Sequence, residues 1–155
     1  MQIHSLGSDL CEEEYSLIGI HTALEDFKLA YLLNNKLGTR FYKSKEELNF
    51  EINEKETSFS IFNFSNKKYD FEWFLIANSS KRENQKESNE LLLTSETKTY
   101  LIPEKKKVDF FIKVSGSLQY NFVEEIINKI KTIDQVITSY AIDKNKLKSK
   151  DFLIF

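Results

Sequence analysis

Apolar and polar residues change period several times along this chain, and each change marks an element. Tyr15 to Ile20 is a short run of apolar and branched residues that predicts a buried strand. Helical spacing follows at once: Leu24, Phe27, Ala30, Tyr31, Asn34 and Leu37 recur every three or four residues and are expected to face a sheet. Thr22 with Glu25 has the pattern of a capping box, and Gly38 supplies a left-handed stop.

From Thr39 to Ala77 the period falls to two. Phe59, Ile61 and Asn63 alternate with Ser58, Ser60, Phe62 and Phe64, and Tyr69, Phe71, Trp73 and Leu75 alternate with Asp70, Glu72, Phe74 and Ile76. These are two antiparallel strands joined by a turn at the NKK segment, residues 66–68. Weaker strands are expected at Arg40–Lys43 and Phe50–Asn53, separated by the charged KSKEE segment. Residues 78–90 (NSSKRENQKESNE) offer no apolar side chain to a core and predict a mobile polar loop. Strands follow at Leu91–Leu93 with Lys98–Ile102 and at Val108–Val114, and Pro103 ends the first of them by withdrawing an amide donor. A second helix opens at Ser117 or Asn121 with Phe122, Val123, Ile126, Ile127 and Ile130 as its apolar face, and Val136–Ile142 returns as a strand.

Each half of the pattern has the order strand, helix, strand, so βαβ-type units are expected, with a right-handed crossover wherever paired strands are parallel. The fold class is α+β: an antiparallel or mixed sheet with two main helices packed on one face, with a ferredoxin-like arrangement carrying an inserted hairpin as one form of it. At 155 residues the chain is expected to be a single α+β domain over 1–155.

Hydrophobic residues at 41% and charged residues at 30% belong to a globular chain, and 14% aromatics predict a core rich in phenylalanine. A net charge of −2 gives no global argument for nucleic acid or an anionic membrane. Residues 1–80 are on balance acidic and residues 81–155 on balance basic. One cysteine, Cys11, excludes an intramolecular disulfide and supplies no zinc site without partners. Neither a secretory leader nor an apolar stretch of about 18 residues is present, so a cytoplasmic protein is expected, with no membrane partner.

The segment IPEKKKVDF, residues 102–110, resembles the motif of the bacterial IPExxxVDY family, known chiefly from Bacteroidetes. LIGIHTALEDFKLAYLLN at 17–34 and LKSKDFLIF at 147–155 also resemble the opening and closing segments of that family, so the resemblance spans almost the whole chain. Its motif residues fall on Ile102, Pro103, Glu104, Val108 and Asp109, while Phe110 stands where the family has tyrosine. The resemblance implies no particular activity, cofactor or catalytic residue.

Chemistry is sparse. Pro103 and Glu104 are expected at the centre of a hairpin turn, with Asp109 starting the next strand. The two carboxylates can then act as an acid/base pair or a hard-cation site, or accept the loop's own amides and fix the turn; the second is favoured, because three lysines intervene and no third ligand is evident. Lys105, Lys106 and Lys107, with Lys144, Lys146, Lys148 and Lys150, are the basic clusters, and without interleaved aromatics they are expected to be a solvated surface. His4 and His21 lack metal spacing, and Cys11 precedes three glutamates that disfavour a thiolate. No phosphate-cradling, zincin or hydrolase motif occurs. Neither a cofactor, a metal nor a catalytic residue is assigned. The apolar ending DFLIF is expected to plug the core or add an edge strand, in preference to entering a partner's groove.

The expected function is therefore a non-enzymatic protein-interaction or adaptor module with a protein partner. The alternatives are a small-molecule-binding protein or enzyme with a pocket near residues 102–109, walled by Tyr100 or Phe110, and an RNA-associated protein using the lysines.

Overall fold

A computed structural model describes residues 14–52, 54–66, 68, 71–83, 96–116 and 120–153. In chain order the elements are β1 (Tyr15–Thr22), α1 (Asp26–Leu37), β2 (Tyr42–Lys43), β3 (Leu48–Ile52), β4 (Lys55–Phe59), β5 (Ile61–Asn66), β6 (Phe71–Ala77), β7 (Ser79–Glu83), β8 (Glu96–Tyr100), β9 (Phe110–Ser115), α2 (Tyr120–Lys131) and β10 (Val136–Ile142). Short 3-10 turns occupy Pro103–Lys105, Lys144–Lys146 and Lys150–Leu153.

The main sheet runs β10-β1-β9-β6-β5-β2, and every neighbouring pair is antiparallel. The sheet is thus antiparallel rather than mixed. The parallel members of each strand-helix-strand unit never touch: β9 and β10 flank β1, and β1 and β6 flank β9. That interleaving, with both helices in one apolar cluster, is the ferredoxin-like order, with β2–β5 inserted before β6. Two ribbons, β3–β4 and β7–β8, stand outside the main sheet.

The central strands explain the layering. LIGI in β1, WFLI in β6 and FFIKV in β9 are continuous apolar runs, not alternating ones, so both faces of the sheet must be covered. One face, with Ile18, Ile20, Trp73, Leu75, Ile112 and Val114, packs under Leu29 and Leu33 of α1 and Ile126 and Ile130 of α2. Among the described residues no helix covers the other. There Leu17, Phe74, Ile76 and Phe111 are roofed by Phe59 of β4, by Leu101, Ile102 and Val108, and by Leu147 and Leu153 near the end of the chain. Lys113 interrupts the FFIKV run on this second face; it is buried, donates to the Leu153 carbonyl at 2.7 Å and lies 4.7 Å from the Tyr15 ring centre. Hydrogen bonding and ring contact offset the cost of burying its charge.

Several sequence expectations change here. Thr22 does not cap α1: it is buried in β1, its hydroxyl donating to the Gln135 carbonyl at 2.7 Å, and the helix starts after Glu25 without a side-chain cap. The buried face of α1 is Leu29, Ala30 and Leu33, whereas Phe27 and Tyr31 are 61% and 64% exposed. Phe27 is at the rim, edge-on to Phe62 at 5.4 Å and beneath Lys43, which explains why an aromatic in helical register misled the phase. Asn34 binds the segment after the helix instead of the sheet, through Phe41 and Thr39. Gly38 is the left-handed stop at φ 69°, its amide donating to Asn34 O. The expected strand through Phe59 and Ile61 breaks at Ser60, so that Phe59 belongs to the β3–β4 ribbon and Ile61 to the sheet. The polar segment 78–90 is not loop throughout: Asn78 is fully buried and Ser79–Glu83 pairs with β8; residues 84–90 and the expected strand Leu91–Leu93 lie outside the described residues. The chain ending folds as a plug, not an edge strand, with Leu153 buried and Phe152 edge-on to Phe50 at 4.9 Å; residues 154–155 lie outside the described residues.

A Cβ on Gly19 would stand 2.8 Å from Ile142 Cδ1 and 3.4 Å from Val108 Cγ1, so the missing side chain lets β10 and the 102–109 segment close on β1. Gly19→Ala is expected to lower the unfolding free energy by about 1–3 kcal/mol. Adding Ile142→Val, which removes Cδ1, is expected to recover part of that loss. Chemical denaturation of the singles and the double checks this, and strictly additive effects would contradict the contact.

Candidate functional site

The 102–109 segment is not a β-hairpin. β9 already has β1 on one side and β6 on the other, so it has no edge to offer β8, which pairs with β7 instead. The segment is a double turn linking an outer ribbon to a central strand. Pro103 and Glu104 do hold the centre of the first turn, closed by Lys105 N–H donating to Ile102 O at 3.0 Å, and Val108 N–H donates to Lys105 O at 3.0 Å to close the second. Ile102 and Val108 point inward at 0% and 1% exposure.

A single side chain fills the space between the turns. The Asn78 carbonyl oxygen accepts from Ile102 N–H at 2.8 Å, and its amide nitrogen donates to Lys105 O at 2.9 Å and Val108 O at 2.8 Å. Its main chain adds a bond to Asp109 O at 3.0 Å and one from Leu101 N–H at 2.7 Å. Only an amide side chain of this length supplies an acceptor and two donors to three main-chain groups that face one another. The Ile102 amide and the Val108 carbonyl, bonded in the buried interior, would each cost about 1–3 kcal/mol if left unpaired.

The two motif carboxylates act outward from the loop and in different directions. Asp109 Oδ2 accepts from the Thr22 amide at 2.8 Å, and the Asp109 amide donates to Ile20 O at 2.9 Å, which fastens the second turn to the end of β1. Glu104 takes both the amide and the hydroxyl of Ser149, at 2.8 and 3.0 Å. They therefore bind separate segments and do not form the acid/base pair or cation site weighed above; of the expected bonds to loop amides Glu104 keeps the one from its own amide, while Ser149 and Thr22 lie outside the loop. Burial alone would raise the Glu104 carboxyl. Hydrogen bonds from the Ser149 amide, its own amide, the Ser149 hydroxyl and the Lys148 amide outweigh that and hold its pKa below the ordinary 4.5.

The Glu104–Ser149 contact has a second effect, because lysines flank both partners. Lys105, Lys106 and Lys107 follow Glu104, while Lys148 and Lys150 flank Ser149 with Lys144 and Lys146 just before. Lys106, Lys107, Lys146 and Lys148 are exposed. Lys106 lies 5.7 Å over the Tyr100 ring and Lys144 lies 4.2 Å over the Tyr15 ring.

Other candidates fall away from this site. His21 shares a 2.8 Å hydrogen bond with Tyr140, whose phenol is pushed up by burial. His4 and Cys11 lie outside the described residues. Among the described residues no three His, Cys, Asp or Glu gather to hold a metal, and no helix is long and apolar enough to cross a membrane. A groove of about 520 Å³ opens between α2, β1 and residues 139–145, but nothing from 102–109 lines it. Phe110, offered as a pocket wall, is instead buried in the helix-side core. Sequence reasoning missed Asn78 and Ser149. Asn78 had one signal, its place immediately after the seven-residue β6 run, where a polar side chain is positioned to bond the main chain. No family model matches this chain, and no curated protein matches it either.

A carboxyl with a lower pKa in the folded than in the unfolded chain adds stability above its unfolded pKa and loses it as pH falls through the folded one. Wild type is expected to be more stable than Glu104→Gln near neutral pH, by no more than about 1 kcal/mol because the group is largely solvated. The two should converge as pH falls through the folded-state value, which lies below 4.5. Melting curves across that range check the sign: a gap that persists in acid would contradict it.

Proposed function

We propose that this chain is a member of the IPExxxVDY family and works as a non-enzymatic protein-interaction module, with the 102–109 segment as part of its binding face. One observation carries the reading: the motif's two carboxylates, and the Asn78 amide that fills its loop, are committed to the fold. Asn78, Glu104 and Asp109 each bond main-chain groups, and Ile102 and Val108 are core. What the segment offers to solvent is a rigid, lysine-bearing turn.

The spacing of the motif supports the family reading. Ile102 and Val108 must both reach the second face of the sheet, proline suits the first position of the 3-10 turn, and the carboxylates at 104 and 109 reach two different anchors. Phe110 needs no hydroxyl in its apolar setting. A pocket-based enzyme has less support, because the interior of the loop is filled by Asn78.

Affinity purification of the tagged protein from its own cells is expected to return a stoichiometric protein partner. That partner should be lost with Lys106→Glu/Lys107→Glu, both exposed positions, while the melting temperature stays within a few degrees. Recovery of a small metabolite in place of a protein would overturn the reading.

A further inference from the structure

The lysines at 105–107 and those at 144, 146, 148 and 150 are some forty residues apart in sequence. The Glu104 carboxylate, holding both the amide and the hydroxyl of Ser149, sets the two tracts side by side. Seven lysines outnumber the acids among them, Glu104, Asp143 and Asp151. That contact puts the main chain of the two tracts together, a local excess of basic residues on a chain whose net charge is −2. A local field of this kind attracts an anionic partner that the whole molecule would not.

The aromatic rings beside these lysines decide which anion. Base stacking needs an open ring face. Tyr15 and Tyr100 are half-buried, with the ammonium groups of Lys144 and Lys106 over them, and Phe152 packs edge-on to Phe50. A platform for single-stranded nucleic acid is therefore already occupied, while the lysine charges remain on the surface. We infer that this face docks an acidic polypeptide segment of a partner protein, an inference that rests on the interaction-module reading above. Glu104 is its positioning residue: it binds no partner itself but holds the two lysine tracts in one surface.

Fluorescence anisotropy tests it, with a labelled oligoglutamate of about twenty residues against an oligouridylate of equal length, at about 50 and about 300 mM salt. The peptide is expected to bind the wild-type chain in preference to the RNA and to weaken at high salt. Lys105→Ala/Lys106→Ala/Lys107→Ala and Lys144→Ala/Lys146→Ala/Lys148→Ala should each weaken it by about tenfold or more. Glu104→Ala is the sharpest variant. It makes the face one charge more positive, so simple attraction predicts tighter binding, whereas loss of the clamp predicts weaker binding by a few-fold. Tighter binding by Glu104→Ala, dependence on one tract alone, or preference for the RNA would each overturn the inference. If the peptide fails to bind but affinity purification still returns a protein partner, the acidic-segment inference falls and the module reading stands. If purification returns a metabolite and no protein, the module reading falls with it.

Discussion

Asn78 closes the gap that the sheet leaves where β6 ends and β9 begins. At the end of β6 the main chain must turn away while β9, the next strand of the sheet to be laid against β6, arrives from a distant ribbon. The backbone groups of residues 101, 102, 105, 108 and 109 all converge there, those of Leu101, Ile102 and Val108 in the buried interior. Asn78 bonds to every one of them, three through its side chain and two through its main chain. An unpaired amide in that interior would cost more than a typical hydrogen bond contributes, so the position of the whole loop follows from satisfying this one residue.

The need for such a loop comes from the sheet. Apolar runs in β1, β6 and β9 bury both faces, yet both helices lie on one of them. The second face is roofed by the β3–β4 ribbon and, over the rest, by irregular chain, which can be buried only if its polar backbone is paired. Ile102 and Val108 supply the apolar contacts, each contributing about 1.5–3 kcal/mol on burial. Asn78, Asp109 and Glu104 supply the pairing, to the loop itself, to β1 and to the Ser149 segment. Lys113 extends the same logic to the last turn, holding Leu153 O from beneath.

Much of this was legible in the sequence. The strand at Tyr15, the hairpin of β5 and β6, the second helix and the last strand all come from periodicity, a local property; on that helix Val123, Ile126, Ile127 and Ile130 are buried, while Phe122, expected with them, is 43% exposed. The turn centred on Pro103 and Glu104 came from turn chemistry, also local. The misses share a physical origin. Asn78 with Ile102, Glu104 with Ser149 and Asp109 with Thr22 join residues 24, 45 and 87 positions apart, and nothing in local spacing encodes them. The phase of α1 failed for another reason: Phe27 and Tyr31 lie at the rim, where an aromatic ring covers apolar neighbours while remaining largely in water. The distinction matters for function, since the carboxylates that stand in the sequence as a candidate acid/base pair serve as ties between segments, and one of them, Glu104, joins the two lysine-bearing segments at Ser149.

The account turns on whether Asn78 locks the loop. Hydrogen exchange resolved at the Leu101 and Ile102 amides tests that most directly, because both donate to Asn78, one to its backbone and one to its side chain. In the wild-type protein both are predicted to exchange as slowly as the amides of β9. In Asn78→Ala, Ile102 is predicted to lose protection well before β9 does. Rapid exchange of Ile102 in the wild type, or unchanged protection in the variant, would contradict the claim that this residue holds the loop in place.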